Sequence, residues 1–402
     1  MTVEMNQVTT LFLAMALFLL GTALVRKTKF LQKFCIPAPV VGGLLFAILA
    51  TILKATGLVS FTLDTSLQNL FMLTFFATVG LGASFALIKL GGKLLIIYWV
   101  ACGFLAIMQN VIGVSMSYLF DIHPLIGMMA GAVSMEGGHG GATAYGTTVE
   151  AMGIDSAFSI GIAAATFGLV AGGLVGGPLV KYLIKKHDLK STEVEESYEY
   201  TAEAHDPAIN VDNFTMQAFL IVASMAGGSL LGDVFTKVTS SFMENAIVLP
   251  NYVGAMFVAV VIRNVVDRIN GNIVHMRSIT LIGDVALGIF LSMALMSIKL
   301  WEVADLALPL LVIVFVQVVF LVLFAIFVLF RILGKNYDAA VMCAGFAGHG
   351  LGATPNAMAN MAAVTARYGP SRTAYLIVPI VGAFLIDVVS MPIIITTMNI
   401  FS

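Results

Sequence analysis

Charge is what this sequence has least of. Of its 402 residues only 10% are Asp, Glu, Lys or Arg, while 59% are hydrophobic, and the mean hydropathy is +1.00. A chain this long could bury a large core in water, but it could not hide so much apolar surface. It reads as an all-α polytopic membrane protein. A net charge of −2 and the lack of a basic stripe with interleaved aromatics give no sign of a nucleic-acid partner. Cysteine is scarce too: Cys35, Cys102 and Cys343 are odd in number and widely spaced, so neither a disulfide framework nor a metal cluster follows. Also missing are a His-Glu-x-x-His zinc motif, a Ser-centred nucleophile elbow and paired catalytic aspartates, which leaves an intramembrane enzyme as a remote alternative.

A cleavable signal peptide carries its cations before the apolar stretch. Here Glu4 precedes the first run, and Arg26, Lys27 and Lys29 follow it, so that run is a retained span. Further apolar runs fall at about 36–58, 70–88, 94–119 and 156–182, then at about 214–231, 247–262, 279–298, 306–330 and 373–398. Between the two sets lies residues 184–213, where Glu193, Glu195, Glu196, Glu199, Glu203 and Asp206 make an acidic, apolar-poor stretch, a cytoplasmic linker. The chain thus divides into residues 1–183 and 214–402, about ten transmembrane helices in all. Each half holds five helices and one interrupted, re-entrant segment, at about 125–152 and 338–363. Because five is odd, the second half enters from the opposite side and the repeats are inverted. The positive-inside rule agrees: with both termini outside, every one of the 20 Lys and Arg except Lys54, Lys237 and Lys299 lies on the inner side.

The interrupted segments carry Gly137-Gly138-His139-Gly140-Gly141-Ala142-Thr143 and Gly345-Phe346-Ala347-Gly348-His349-Gly350-Leu351-Gly352-Ala353-Thr354-Pro355-Asn356. Glycine and proline weaken a helix, and backbone freed in hydrocarbon costs several kcal/mol per group, roughly, so such a break must be packed in protein or line a polar cavity. Two breaks in corresponding places point to a transporter binding site; the alternative is a pair of glycine-rich packing seams. A broken helix presents N–H groups at one end, which suit an anion, and C=O groups at the other, which suit a small cation such as sodium. Thr143, Thr354, Asn356 and Asn360 add oxygens, the last two one helical turn apart. Asp387 sits in an apolar run, where a carboxylate is expensive: an ion site, or a buried hydrogen-bonded acid. Glu136, before the first glycine pair, is open as cation ligand, proton site or capping group. His139 and His349 read more readily as hydrogen-bond partners than as metal ligands. Gln109 and Asn110, deep in a span, are interhelical ties or ligand contacts, and the small-residue patch Thr78–Ser84 is a packing seam or a cavity wall.

Gly137-Gly138-His139-Gly140, Gly350-Leu351-Gly352-Ala353-Thr354-Pro355, Gly334-Lys335-Asn336-Tyr337-Asp338-Ala339-Ala340, Val378-Pro379-Ile380-Val381-Gly382-Ala383-Phe384 and Phe75-Phe76-Ala77-Thr78-Val79-Gly80-Leu81 together closely resemble the bacterial glutamate:sodium symporter family, over essentially the whole chain. The resemblance implies L-glutamate uptake driven by sodium at the cytoplasmic (inner) membrane, paired re-entrant loops, a homodimer and elevator-like motion. The candidate substrate residues at the breaks are Gly137, Gly138, His139, Gly140, Gly141, Thr143, His349, Gly350, Gly352, Thr354 and Asn356, and the candidate sodium ligands are Thr354, Asn356, Asn360, Asp387 and Glu136. Two positions depart from the family pattern: His349 stands where an aromatic is usual, with Phe346 near the usual histidine, and Glu136 replaces a small residue. Another carboxylate, such as a citrate-like acid carried with protons or sodium, is the alternative cargo.

Overall fold

The computed structural model describes residues 2–33, 36–191, 211–240, 249–269, 273–298 and 306–402. Most of the acidic linker, Cys35 and Lys299 lie outside them. In chain order the first half holds strand β1 (Thr2–Met5), α1 (Gln7–Lys27), α2 (Lys29–Lys33), α3 (Ala38–Ala55), strand β2 (Ser60–Leu63), α4 (Gln68–Gly82), α5 (Phe85–Leu119), α6 (Pro124–Met128), α7 (Gly138–Ala151) and α8 (Ala157–His187). The second half holds α9 (Val211–Ser240), α10 (Asn251–Ile269), α11 (Met276–Leu295), α12 (Ala307–Phe324), α13 (Phe330–Ile332), α14 (Tyr337–His349), α15 (Thr354–Tyr368), α16 (Arg372–Ile380) and α17 (Ile386–Phe401). Single π-helical turns interrupt the ladder at Met129–Val133, Ala325–Leu329 and Val381–Leu385.

Local chemistry sets the ends. Asn6 accepts from the N–H of Val8 and Thr9 at 3.1 and 3.0 Å to start α1, and Arg26 and Lys27 sit in its last turn, where cations favour the dipole. Asn336 starts α14 by accepting from Ala339 N at 2.9 Å. Among the described residues seven helices are long and apolar enough to cross a membrane. The remaining expected spans fall on α4 (15 residues), on α10, which ends in Arg263, Asp267 and Arg268, and on α16 with α17.

The stretch after α3 reads as a polar loop, yet Ser60–Leu63 is a strand pairing in parallel with Thr2–Met5, from Thr2↔Ser60 to Met5↔Leu63. Four residues are too short for alternation to declare a strand, and the partner lies far away in sequence.

The helices gather into two groups. In one, α1 packs on α3 and α9 on α10, while α4 lies against α10 and α11 and α3 against α11. The patch Thr78–Ser84 is a seam in this group: a Cβ added at Gly80 would fall 2.7 Å from Ala259 Cβ, and one at Gly283 would fall 2.5 Å from Thr78 Oγ1. The other group is α5 to α8 with α12 and α14 to α17; here α8 contacts α7, α12, α14 and α15, and α5 contacts α6, α12, α16 and α17. The groups touch where α7 reaches α11 and where the turn Val381–Leu385 reaches α4. α10 clamps the junction from which α5 leaves for the second group. Arg263 Nη1 donates to Leu81 O at 3.0 Å, Asn264 donates to Ala83 O at 2.9 Å and accepts from Phe85 N at 2.7 Å, and Ser84 Oγ donates to Asp267 at 2.6 Å.

Candidate functional site

Both glycine-rich segments are broken helices, and both breaks are buried in protein. Every residue of α14 except Asp338 is buried, as is the whole turn Met129–Val133 that follows α6. The backbone freed at the breaks is therefore shielded from lipid, as the cost of open groups in hydrocarbon demands.

The breaks meet. Gly138 opens α7 with φ of 55°, a conformation glycine adopts without strain, and a Cβ there would fall 2.6 Å from the carbonyl oxygen of Gly352. The site thus needs glycine at this position twice, once for its dihedral and once for the approach of the second break. Helix α8 supplies the floor. A Cβ at Gly168 would lie 2.6 Å from Leu351 O, and one at Gly172 would lie 2.9 Å from Ala347 O. The glycine face of the fifth predicted span is thus the bed of the second break.

Two neighbouring amides on α5 hold the two breaks. Gln109 Nε2 donates to Gly350 O at 2.7 Å, and Asn110 Oδ1 accepts from Ala132 N at 3.1 Å while its Nδ2 donates to Thr397 Oγ1 at 3.0 Å. From α12, Gln317 Nε2 donates to Gln109 O at 2.8 Å. Gln109 and Asn110 are thus interhelical ties, which the sequence leaves as one of two options. Gln317 and Tyr98 are missed by the sequence reading. A lone amide in the apolar run 306–330 is a readable signal for Gln317; nothing in the sequence singles out Tyr98.

The predicted site residues fall as follows. His349 Nε2 pairs with Tyr98 OH at 2.7 Å, with Cys102 Sγ at 3.7 Å, while its Nδ1 has no hydrogen-bond partner. His139 Nε2 pairs with Thr166 Oγ1 at 3.0 Å, and Thr143 Oγ1 donates back to His139 O at 2.7 Å. Asn356 and Asn360 share one face of α15, donating to Leu169 O at 2.9 Å and Gly172 O at 3.0 Å on α8. Thr354 turns the other way, to Gly382 O at 2.6 Å in the π-helical turn before α17. Gly137 and Gly141 face Val133 O, whereas Gly140 faces Phe75 and Leu287 on α4 and α11.

Several oxygens around the breaks stand without hydrogen-bond partners, among them both carboxylate oxygens of Glu136, 8% exposed, Oδ1 of the fully buried Asn356 and Oε1 of Gln109. Asp387 is half-buried at the start of α17. Unpartnered buried oxygens cost free energy, and a bound cation or a donor group of a ligand offsets that cost. Among the described residues no three His, Cys, Asp or Glu side chains gather to hold a metal ion, so amide, hydroxyl and backbone oxygens would have to complete any cation site.

Comparison with known proteins gives one answer across the chain. The model of the family described as Sodium/glutamate symporter matches residues 3–370. The Sodium/glutamate symporter of Escherichia coli (strain K12) is 41% identical over 388 residues, covering 96% of this chain and 96% of that protein. The protein of the same name from Haemophilus influenzae is 40% identical over 382 residues, covering 95% and 94%. Among solved structures, the sodium proton antiporter MjNhaP1 from Methanocaldococcus jannaschii is 12% identical with a TM-score of 0.44, covering 99% of this chain and 96% of that one, too distant to carry an argument. The match spans the two breaks, the amides that tie them and the glycine bed beneath. On that evidence the chain belongs to the sodium/glutamate symporter family.

Proposed function

We propose that this protein is a sodium-coupled secondary active transporter that imports L-glutamate across a bacterial inner membrane by alternating access. The observation that carries the site is the contact of Gly138 with Gly352 O inside an apolar bundle, beside the unpartnered oxygens of Glu136 and Asn356. Family membership supplies the cargo: relatives at 40–41% identity over nearly the full chain carry the name sodium/glutamate symporter.

In this reading the open N–H groups at the start of α7 receive the substrate's carboxylates. Gly137, Gly138, His139, Gly140, Gly141 and Thr143 form one wall, and His349, Gly350, Gly352, Thr354 and Asn356 the other. Because Thr354 faces the turn before α17 while Asn356 and Asn360 face α8, their oxygens serve sodium from two sides of α15, with Asp387 and Glu136 supplying the negative charge that an ion needs at membrane depth. The two halves are inverted repeats. Supporting this, elements in corresponding places pack alike: α1 on α3 as α9 on α10, α1 on α11 as α9 on α4, α5 on α17 as α12 on α8. The group containing both breaks moves against the other as the elevator, in a homodimer with both termini outside. The clamp from α10 and the bend in α5 at Gly92, with φ of 57° and ψ of −149°, lie where the two groups join.

The test is purified protein in liposomes with labelled L-glutamate. An inward sodium gradient should drive accumulation above equilibrium, collapsed by a sodium ionophore. Uptake of equal size without sodium, or preference for citrate in counterflow, would overturn the assignment.

A further inference from the structure

A cavity of about 450 Å³ lies away from the meeting of the breaks. Its size admits a small molecule. It is walled by both helix groups: Asn69 at the start of α4, Thr148 near the end of α7, Asp233 on α9, and Asn251 and Tyr252 at the start of α10. Thr148 stands ten residues along α7 from Gly138, roughly 15 Å at helical rise, so the cavity and the break are two ends of one helix.

Its chemistry is that of an α-amino acid's head and carboxylate. Tyr252 is 2% exposed and its hydroxyl, on a cavity wall beside the hydroxyls of Thr148 and Tyr145, makes no well-aligned hydrogen bond to either. The ring is fixed, edge-on to Tyr145 at 5.4 Å and tilted against Phe76 at 5.0 Å. The amides of Asn69 and Asn251 are further donors. On the acceptor side, Asp233 contributes a carboxylate, and Thr148, whose hydroxyl proton goes to Ala144 O at 3.0 Å, presents its oxygen beside the Tyr252 hydroxyl. Donors for a carboxylate and acceptors for an ammonium thus line one cavity between the two helix groups.

We infer that this cavity is an outer entry subsite for the transported amino acid, in which Asp233 with Thr148 takes the ammonium and Tyr252 with Asn251 and Asn69 takes a carboxylate. The inference rests on glutamate import and on the orientation proposed above, which puts the start of α10 and the end of α7 on the outer side. Sodium-driven glutamate uptake in intact cells tests it, with glutarate, which lacks the ammonium, as competing inhibitor. Asp233→Asn should raise the KM for glutamate about five- to tenfold, the scale of one lost charge-assisted contact, and leave the inhibition constant of glutarate unchanged. Asp233→Glu should restore the wild-type KM, and Tyr252→Phe, which keeps the ring, should weaken both ligands. An Asp233→Asn protein with wild-type KM, or one in which glutarate weakens as much as glutamate, overturns the subsite. Wild-type cells that take up no glutamate would instead overturn the transport reading.

Discussion

At the scale of single residues, the site is a matter of which atoms approach and which are left over. Gly138 is the sharpest case. Gly138→Ala must hold an L-residue at positive φ, which costs about 1–2 kcal/mol, and push a methyl toward Gly352 O. The expected outcome is a folded protein whose sodium-driven uptake falls at least about tenfold; wild-type kinetics would show that the close approach is dispensable. Thr354→Val keeps the shape and removes the hydroxyl that donates to Gly382 O. Uptake should fall and the sodium concentration for half-maximal rate should rise, whereas an unchanged sodium dependence would return Thr354 to a packing role. Asp387→Asn keeps the size and deletes the charge at the start of α17. It should uncouple glutamate movement from sodium without loss of the protein from the membrane, and retained wild-type sodium dependence would show that Asp387 serves structure alone.

Helices and their joints carry the next level of the account. α5 is bent at Gly92, where ψ of −149° with positive φ is open to glycine alone, yet a Cβ there would meet nothing within 4 Å. Gly92→Ala therefore tests backbone freedom without adding a steric contact. Turnover is predicted to slow while glutamate affinity holds, since the joint lies between the helix groups and not at the breaks; an unchanged turnover would mean the bend is not a working hinge. Asn264 makes two backbone contacts at the same joint, so Asn264→Leu strands Ala83 O and Phe85 N. A loss of roughly 2 kcal/mol is expected, read as a lowered unfolding temperature in detergent. Legibility at this scale is uneven. The interrupted helices and the apolar runs that become the seven long spans are visible in sequence because glycine, proline and charge are costly in hydrocarbon and so stand out. The β1–β2 pairing and the turn of Thr354 away from Asn356 are not visible, since each depends on a neighbour distant in sequence: Ser60 for one, Gly382 for the other. Gln109 could be noticed as a polar group at depth, but its partner, Gly350 O, could not.

The molecule as a whole consists of two helix groups, one of which holds both breaks between α5, α8 and α12. On the proposed function, sodium and glutamate share the junction of the two breaks, so that each favours the binding of the other. Linkage makes that claim quantitative: if sodium raises glutamate affinity by some factor, glutamate raises sodium affinity by the same factor. The direct measurement is titration of glutamate into the purified protein with sodium absent and with sodium saturating, in the wild type and in Gly138→Ala. The account predicts a dissociation constant lowered by sodium, by about 5- to 150-fold if the coupling is of ordinary size, and loss of that coupling in Gly138→Ala. Glutamate binding of equal strength with and without sodium, or coupling undiminished in Gly138→Ala, would contradict it.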